Sequence, residues 1–368
     1  MSDAFDIADE LGPEKVLYLH DVATGLRAIL VVDNVAAGPA IGGTRMAVDV
    51  SLEECSRLAR AMTLKNAAAS LPHGGAKAVI FADPKMPADE KERLMRAYAY
   101  ALRDVKDYIV GPDMGTDETA MAWVHDVTGR AVGLPREIGG IPLDQIGATG
   151  FGIAVALEAA QPFAGVELAG SRVAVQGFGA VGMHAARFLG ERGARLVAVA
   201  DSRGTICASE GLDTALLIDW KRQGKAVVDF PGGEGRDREA IIDVDCDIWI
   251  PAARPDVIHE GNVERLRARV VAEGANIPVT EAAERRLAER GVLVLPDFIV
   301  NAGGVICAAV EYRGGGQREA LASIEEKVRG NMEEVLKRAQ ADGLMPREAA
   351  VELARERVLS AMRYRRTR

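Results

Sequence analysis

The stretch that decides the fold is Arg172-Val173-Ala174-Val175-Gln176-Gly177-Phe178-Gly179-Ala180-Val181-Gly182. The apolar run at its start predicts a buried strand, and the glycine-rich turn at 177–182 then opens a helix that we expect to reach about Arg192. Leu196–Ala200 predicts the next strand, which ends on Asp201. Strand, glycine-rich turn, helix, strand and terminal acid occur here in the order of the GxGxxG pattern.

This pattern has a physical mechanism. Glycines at 177, 179 and 182 let a pyrophosphate reach the unpaired N–H groups at a helix N-terminus, and Asp201 can accept hydrogen bonds from a ribose. The predicted contacts with the cofactor are therefore Gly177, Phe178, Gly179, Ala180, Val181, Gly182 and Asp201. An acid at that place disfavours a 2′-phosphate, so we expect NAD rather than NADP, although Arg203 weakens the preference. A plain glycine-rich turn is the alternative.

The surrounding sequence continues as an α/β pattern. Further buried strands are predicted at 247–250, 270–272 and 292–295, and long helices at 319–341 and 346–364. Residues 135–150, PREIGGIPLDQIGATG, are rich in proline and glycine and are interpreted as a hinge region. The second half of the chain therefore predicts an α/β domain in which buried strands alternate with helices.

The first 140 residues predict a mixed α/β domain. Two β-rich runs, 15–20 and 26–33, are separated by a turn and indicate an antiparallel hairpin. Ser51 and Glu54 are spaced as a capping box at the start of a helix, and another amphipathic helix is predicted over 88–106. GPDMGTD at 111–117 follows a short strand and precedes a helix that starts near Thr116.

Two lysines border the loop KNAAASLPHGGAK at 65–77. Pro72 ends the helix that carries Lys65, and the bare backbone of Gly74 and Gly75 precedes Lys77 at the head of a buried strand. Such a lysine can lean over a ligand, although two surface lysines flanking a loop are the simpler interpretation. His73, in the same loop, is interpreted as part of the loop structure.

Composition excludes several classes of protein. The 368 residues are 48% hydrophobic and 27% charged, with a formal net charge of −9, which argues against a general nucleic-acid partner. The four cysteines are widely spaced, and no metal-ligand spacing is present among the histidines, so we expect reduced core cysteines and no metal. No membrane span or signal peptide is predicted, which makes the cytoplasm the expected compartment.

Seven motifs together resemble the glutamate/leucine/phenylalanine/valine dehydrogenases, a family of amino-acid dehydrogenases. They are GPAIGGTRM at 38–46, KNAAASLPHGGAK at 65–77, GPDMGTD at 111–117, GATGFG at 147–152, GFGAVG at 177–182, EGANIP at 273–278 and PDFIVNAGG at 296–304. The resemblance implies an N-terminal substrate and oligomerisation domain, 1–140, and an NAD-binding Rossmann domain, 141–341, with a cleft between them. It also implies that a C-terminal helix, 342–368, packs back on the first domain.

The resemblance implies roles for residues at matching positions. Lys77 resembles the lysine that activates the water attacking the imine, and Asp113 the aspartate that exchanges protons with the amino group. Lys65 and Asn301 resemble the residues that hold the substrate carboxylate, beside Gly42 and Gly43. Thr149 and Asn276 resemble cofactor contacts. A second cation near Lys77 would help it act as a base near neutral pH.

Two positions predict an apolar substrate. The resemblance implies that glutamate enzymes carry a lysine before the first Gly-Gly and a serine seven residues after the asparagine of NAGG. Here these places hold Ile41 and Ala308. A second carboxylate in such a pocket would lose water without gaining a partner, whereas an aliphatic side chain would gain about 0.8 kcal/mol per buried CH₂. The closest resemblance is therefore taken to be leucine dehydrogenase, acting on leucine, valine or isoleucine.

Four alternatives remain open: a glutamate dehydrogenase, a phenylalanine dehydrogenase, a non-catalytic nucleotide sensor and an amine dehydrogenase. The sensor is disfavoured because Lys77 and Asp113 are both present, and the amine dehydrogenase because Lys65 and Asn301 are. The resemblance also implies a homo-oligomer, with an octamer favoured and a hexamer or dimer as alternatives.

Overall fold

The computed structural model describes residue 5 and residues 7–365, which fall into two compact units. The first comprises the described residues up to Pro142, Val305–Ala320 and those from Val351 onward; the second comprises Leu143–Gly304 and Leu321–Ala350. The domain bounds given by the sequence, at 140 and 341, stay a prediction. The last three residues of the predicted C-terminal helix, 366–368, lie outside the described residues.

The first unit contains a five-stranded mixed sheet with the order β1-β2-β4-β3-β5. Its strands are antiparallel from β1 to β4 and parallel from β4 to β5. The predicted hairpin is present, and Asp21 Oδ2 accepts the Thr24 N–H at 2.8 Å in its turn. The elements are β1 Lys15–Asp21, β2 Leu26–Asn34, β3 Ala40–Ala47, α1 Leu52–Ala68, β4 Gly75–Phe81, α2 Ala88–Ala101, β5 Tyr108–Pro112 and α3 Glu118–Thr128.

Helix α1 begins as predicted, with Ser51 as its N-cap: the Ser51 hydroxyl accepts the Glu54 N–H at 3.1 Å. The other half of the predicted capping box is replaced, because the Glu54 carboxylate pairs with Arg45 on β3. The helix lies close against β4, where a Cβ on Gly75 would come within 2.0 Å of the Thr63 nitrogen. Glycine at this position therefore lets α1 approach the sheet.

Two helix bounds in this unit differ from the residues predicted for them. Helix α2 was expected to reach residue 106 but ends at Ala101, where the chain turns toward β5. Helix α3 starts two residues later than expected, because Asp117 is its N-cap and accepts the Ala120 N–H at 2.8 Å.

The second unit contains a seven-stranded sheet with the order β12-β11-β10-β6-β7-β8-β9. It is parallel from β12 to β7 and antiparallel over β8 and β9. Its strands are β6 Arg172–Gln176, β7 Arg195–Asp201, β8 Gly204–Cys207, β9 Glu234–Arg236, β10 Ile248–Pro251, β11 Val270–Ala272 and β12 Leu293–Leu295. Its shorter helices are α4 Leu143–Ile146, α6 Ala180–Gly190, α7 Thr214–Arg222, α8 Glu281–Glu289 and α9 Asp297–Val300.

The predicted hinge region at 135–150 is in part helical. A 17-residue helix, α5, spans Ala148–Ala164 despite the glycines at its start. The preceding segment is pinned within the first unit, because Glu311 accepts the N–H groups of Leu134 at 3.0 Å and Ile141 at 2.8 Å. Glu311 lies on α10, Gly303–Tyr312, which is followed by α11, Gln317–Asp342, and α12, Pro346–Tyr364.

The cores are mostly aliphatic, in keeping with an aromatic content of 5%, and Trp249, Tyr98, Tyr108 and Phe178 are the largest buried aromatic residues. All four cysteines are free, and burial raises the pKa of Cys55, Cys246 and Cys307 to about 12, which keeps them as thiols. Within residues 7–365, no helix combines the length and apolar character needed to cross a membrane.

Candidate active site

Lys77 and Asp113 form an ion pair at the centre of the first unit's sheet. Lys77 is the third residue of β4, and Asp113 directly follows β5; both strands flank β3. Lys77 Nζ lies 2.5 Å from Asp113 Oδ2, and the two side chains are 8% and 21% exposed. The sheet order therefore brings together two residues that the sequence separates by a helix and two loops.

Arg45 on β3 is a second cation on the same carboxylate. Arg45 Nε donates to Asp113 Oδ2 at 3.1 Å, while its guanidinium also pairs with Glu54. Burial alone would raise the pKa of Asp113, but the charges of Lys77 and Arg45 and the N–H of Met114 hold it below its ordinary value. Asp113 is therefore ionised at neutral pH.

The Asp113 loop is fixed by Thr116. The Asp113 N–H donates to Thr116 Oγ1 at 3.0 Å, and that hydroxyl donates to Thr44 O on β3 at 2.8 Å. The carboxylate is thus held by its backbone as well as by two cations.

Gly42 and Gly43 are required by close packing around this pair. A Cβ on Gly43 would lie 2.9 Å from Asp113 Cβ and 3.3 Å from Lys77 Nζ, and one on Gly42 would lie 1.7 Å from Ala76 O. Gly43 therefore leaves the two reactive groups room to meet. That Gly42 and Gly43 contact a substrate stays a prediction.

Lys65, Ile41 and Ala308 also lie in the first unit. Lys65 is half-buried in the last turn of α1, and Asn66 beside it donates to Gly74 O at 2.7 Å and to Ile41 O at 3.3 Å. Ile41 is 3% exposed on β3, and Ala308 is half-buried on α10. These contacts tie the end of α1 to β3, while a role in substrate binding stays a prediction.

His73 braces the loop between α1 and β4, as the sequence predicts. Its Nδ1 lies 3.0 Å from Pro39 O, and its ring meets that of Tyr312 edge to face. Burial lowers the pKa of His73, so the ring is neutral in this position.

In the second unit, the glycine-rich turn has the geometry of a phosphate cradle. Gly177 has φ +97°, and a Cβ there would lie 2.7 Å from Ala253 Cβ. Gly179 caps α6 without a side-chain hydrogen bond, and a Cβ on it would meet nothing within 4 Å. Gln176 Oε1, just before the turn, is buried without a hydrogen-bond partner among the described residues. Unpaired helix N–H groups beside open space suit the pyrophosphate of a dinucleotide.

Asp201 ends β7 beside this turn, since Gly177 N donates to Ala200 O at 2.9 Å. Its carboxylate is already engaged. Oδ2 accepts from Lys221 Nζ at 2.5 Å and from Val227 N at 3.2 Å, while Oδ1 accepts from Arg203 N at 2.8 Å. Burial alone would raise the pKa of Asp201, but these hydrogen bonds hold it below its ordinary value.

Thr149, Asn276 and Asn301 lie close together in the second unit, while their roles in binding cofactor or substrate stay a prediction. Asn301 Nδ2 lies 3.1 Å from Asn276 Oδ1, and its other acceptors are Gly274 O at 3.4 Å and Ala275 O at 3.3 Å. Thr149 lies in the first turn of α5, which packs against Gly303 and Gly304 of the NAGG motif.

A buried cluster of one arginine and three carboxylates supports this region. Arg347 of α12 pairs with Glu273, with Glu284 at 2.7 Å and with Asp297 at 3.0 Å. Asp297 Oδ2 in turn accepts the N–H of Ile277, which adopts a strained φ of +45° beside Asn276. The Arg347 cluster therefore fixes the backbone that carries Asn276.

Arg45, Lys221 and Arg347 are the site residues that the sequence analysis missed. Arg45 lies inside the quoted motif GPAIGGTRM, but only the strand register shows that it reaches Asp113. Lys221 and Arg347 lie on helices without a sequence motif. Among the described residues, no group of three or more histidine, cysteine or acidic side chains is placed to hold a metal.

The class of protein indicated by these features is a dinucleotide-dependent enzyme. The features are an α/β domain with a GxGxxG turn and a buried lysine–aspartate pair. Residues 13–130 match the "Glu/Leu/Phe/Val dehydrogenase, dimerisation domain" family, and residues 139–366 match "Glutamate/Leucine/Phenylalanine/Valine dehydrogenase". The chain belongs to this family and is an L-amino-acid dehydrogenase, an oxidoreductase acting on CH–NH₂ groups.

Similar proteins include two glutamate dehydrogenases. The Aeropyrum pernix glutamate dehydrogenase is 40% identical over 356 residues, covering 90% of this chain and 85% of that protein. The NADP(+)-dependent glutamate dehydrogenase of Pyrobaculum calidifontis is 38% identical over 373 residues, covering 94% and 87%. The hetero-hexameric glutamate dehydrogenase from Thermus thermophilus, solved in a Leu-bound form, has a TM-score of 0.84 and 32% identity, covering 97% and 91% of the two chains.

The comparisons confirm the family and the two-domain α/β fold predicted from the sequence. They do not support the predicted closeness to leucine dehydrogenase, because the named relatives are glutamate dehydrogenases. The prediction from Ile41 and Ala308 rests on two positions, whereas sequence identity is measured over the whole chain.

Proposed function

We propose that the protein catalyses the reversible, NAD(P)-dependent oxidative deamination of an L-amino acid to a 2-oxo acid and ammonia. The observation that carries this proposal is the Lys77–Asp113 contact of 2.5 Å. It joins a cation and an ionised carboxylate that together can move protons to and from an amine and a water.

The residues of the first unit divide this chemistry. Asp113 accepts a proton from the substrate amino group, so that the nitrogen lone pair is free to assist loss of hydride from Cα. Lys77, once neutral, takes a proton from the water that adds to the resulting iminium carbon. Lys65 holds the α-carboxylate, as the family resemblance implies. A nicotinamide cofactor supplies the hydride acceptor.

The second unit holds the dinucleotide in this proposal. The open side of Gly179 and the uncapped N-terminus of α6 receive the pyrophosphate. Thr149 and Asn276 contact the nicotinamide end, because both lie beside Asn301 and the NAGG motif. The GxGxxG turn alone does not distinguish NAD from NADP, so the cofactor is proposed here as either one.

Glutamate is the substrate that the relatives favour. Curated proteins sharing 38% and 40% identity over most of the chain are glutamate dehydrogenases. Side-chain choice within one fold rests on a few pocket residues, however, and overall identity bears mainly on the shared chemistry.

An apolar amino acid is the second candidate, and two positions favour it. Ile41, 3% exposed on β3, and Ala308, half-buried on α10, supply no charge or hydrogen bond for a second carboxylate. A desolvated carboxylate without a partner is costly, whereas leucine or valine would gain from burial. Phenylalanine fits the same reasoning if the small Ala308 leaves room for a ring.

The first experiment tests the chemistry. Lys77→Ala and Asp113→Asn should each abolish turnover, while NAD(P)H binding, measured by its fluorescence, stays within about twofold because the second unit is untouched. Lys85→Ala, an exposed lysine shortly after β4, is the matched control and should keep wild-type activity. Turnover at the wild-type rate in either site variant would overturn the assignment.

The second experiment tests the substrate. NAD(P)H consumption is measured with ammonia and a panel of 2-oxo acids that includes 2-oxoglutarate, 4-methyl-2-oxopentanoate and phenylpyruvate. The largest kcat/KM identifies the side-chain class. No turnover with any member of the panel, in a protein that binds NAD(P)H, would favour the non-catalytic nucleotide sensor.

We also propose a homo-oligomer assembled through the first unit. The family of residues 13–130 is described as a dimerisation domain, and the similar Thermus thermophilus enzyme is hexameric. These observations favour a hexamer over the octamer expected from the sequence. A monomer in sedimentation at micromolar concentration would contradict the proposal.

A further inference from the structure

The acid at the ribose end of the cofactor site is covered by the protein's own cation. The Asp201 side chain is only 5% exposed, and the Lys221 side chain, whose ammonium pairs with it, is 22% exposed. Both Asp201 oxygens already accept hydrogen bonds, from Lys221, Val227 and Arg203. A carboxylate that is this buried and this fully hydrogen-bonded offers little accessible surface to ribose hydroxyls. The Lys221 ammonium also neutralises most of its negative charge.

Positive charge surrounds this pair. Arg203 is exposed, and its guanidinium donates to Gly224 O at 2.8 Å, which places it across the loop that follows α7. Lys225 in that loop stacks over the Trp220 ring, with its Nζ 4.1 Å from the centroid. Lys221 and Arg203 are therefore two cations at a position where a free aspartate alone would repel a phosphate.

We propose that Lys221 is a specificity-determining residue: by neutralising Asp201 it lets the protein bind NADP(H) as well as NAD(H), with Arg203 receiving the 2′-phosphate. This inference rests on the proposed use of a dinucleotide and goes beyond it, because it assigns selectivity to a residue outside the GxGxxG pattern. Loss of the Lys221 ammonium would both remove a cation and release an uncompensated carboxylate toward the phosphate.

The test is binding of NADH and NADPH, followed by quenching of tryptophan fluorescence and checked by calorimetry with ADP and 2′,5′-ADP. ADP lacks the 2′-phosphate that 2′,5′-ADP carries, so comparing their binding measures recognition of the adenosine ribose without any turnover. Wild-type protein should bind NADH and NADPH with affinities within about tenfold of each other. Lys221→Met should weaken NADPH and 2′,5′-ADP by about tenfold or more, and leave NADH and ADP unchanged or tighter.

Two further variants separate the causes. In Lys221→Met/Asp201→Asn the repelling carboxylate is gone, so most of the lost NADPH affinity should return, which a double-mutant cycle measures. Lys225→Met is the matched control, since Lys225 has no hydrogen bond to Asp201, and it should change NADPH affinity much less than Lys221→Met. Thermal unfolding of each variant shows whether the fold is kept; if Lys221→Met unfolds, Lys221→Gln replaces it.

The outcomes are distinguishable. Equal loss of NADH and NADPH affinity in Lys221→Met, or a wild type that binds NADPH more than about a hundredfold more weakly than NADH, would overturn the role of Lys221 and leave the dehydrogenase proposal standing. A wild type that binds neither dinucleotide would overturn the proposed function, and the inference would fall with it.

Discussion

The buried carboxyl of Glu273 should make the stability of the protein depend on pH, and its surroundings allow the size of this effect to be calculated. The Glu273 side chain is fully buried at the end of β11, where Oε2 accepts the Asp297 N–H at 2.8 Å and contacts Arg347. Oε1 is buried with no hydrogen-bond partner among the described residues. Burial, opposed by Arg347, raises the pKa of Glu273 from 4.5 to about 8. The carboxyl is therefore mostly protonated in the folded protein at neutral pH.

The sign of the effect follows from proton linkage. Between pH 4.5 and about 8 the folded protein retains a proton that the unfolded chain has lost. The contribution to stability is thus fully present below pH 4.5 and is lost as the pH rises through 8. At about 1.36 kcal/mol per pKa unit, this one group removes roughly 3 kcal/mol from the free energy of unfolding between pH 5 and pH 8.

Glu273→Gln tests this reasoning, because glutamine mimics the protonated acid and keeps an acceptor for the Asp297 N–H. The variant should match the wild type near pH 5 and exceed its free energy of unfolding by about 3 kcal/mol at pH 8. Urea unfolding at both pH values, followed by the fluorescence of buried Trp249 on neighbouring β10, measures the difference. Glu289→Gln, at an exposed position on α8, is the control. Parallel wild-type and variant stabilities across this pH range would refute the reasoning.

Three further predictions concern the first unit. Arg45→Gln should lower kcat/KM at least about tenfold and move its acidic limb to higher pH, since Asp113 loses a cation that lowers its pKa; an unchanged pH profile would contradict this. Gly43→Ala should reduce kcat by about a hundredfold with NAD(P)H affinity intact, because the added methyl group displaces Asp113 from Lys77; wild-type kcat would show that the loop simply yields. Ile41→Lys should raise kcat/KM for glutamate relative to leucine by about tenfold or more, and an unchanged ratio would show that position 41 does not face the substrate side chain.

The elements that the sequence predicted well carry local signals. Helix α12 begins at Pro346, a residue whose fixed φ suits the first helical position, and its predicted end at residue 364 is confirmed. The cap at Ser51 and the hairpin of β1 and β2 depend likewise on neighbouring residues. Such signals need no knowledge of the rest of the fold.

Helix α5 was missed because its local signal opposes its structure. Glycines at 147, 150 and 152 predict a loop, yet they lie where other elements come close: a Cβ on Gly150 would be 2.6 Å from Ala185 N, and one on Gly152 would be 3.2 Å from Val300 O. Tertiary packing selects glycine at these positions and stabilises a helix that propensity disfavours. Contacts of this kind cannot be read from the sequence of the helix itself.

At the candidate active site, too, the sequence predicted which residues are present but not the contacts between them. The sequence named Lys77 and Asp113, but their 2.5 Å contact depends on the order of β4, β3 and β5, which also decides that Arg45 joins them. Whether an acid is ionised, shielded or exposed depends on partners distant in sequence. A motif therefore predicts which residues occupy a site more reliably than it predicts their electrostatic state.

Asp201 is the clearest case of a residue whose electrostatic state depends on a partner distant in sequence. From the sequence pattern, Asp201 is predicted to contact the ribose, and NAD is expected over NADP only because residue 201 is an acid. The structure shows a carboxylate that is 5% exposed and bonded to Lys221, twenty residues further along the chain. A ribose bound at Asp201, as we propose, would have to share the carboxylate with Lys221 or displace the ammonium, and we expect either event to weaken the preference for NAD over NADP. Under the proposed role of Lys221, cofactor selectivity is a balance between two charges, in which the acid at the end of β7 acts together with its partner on α7.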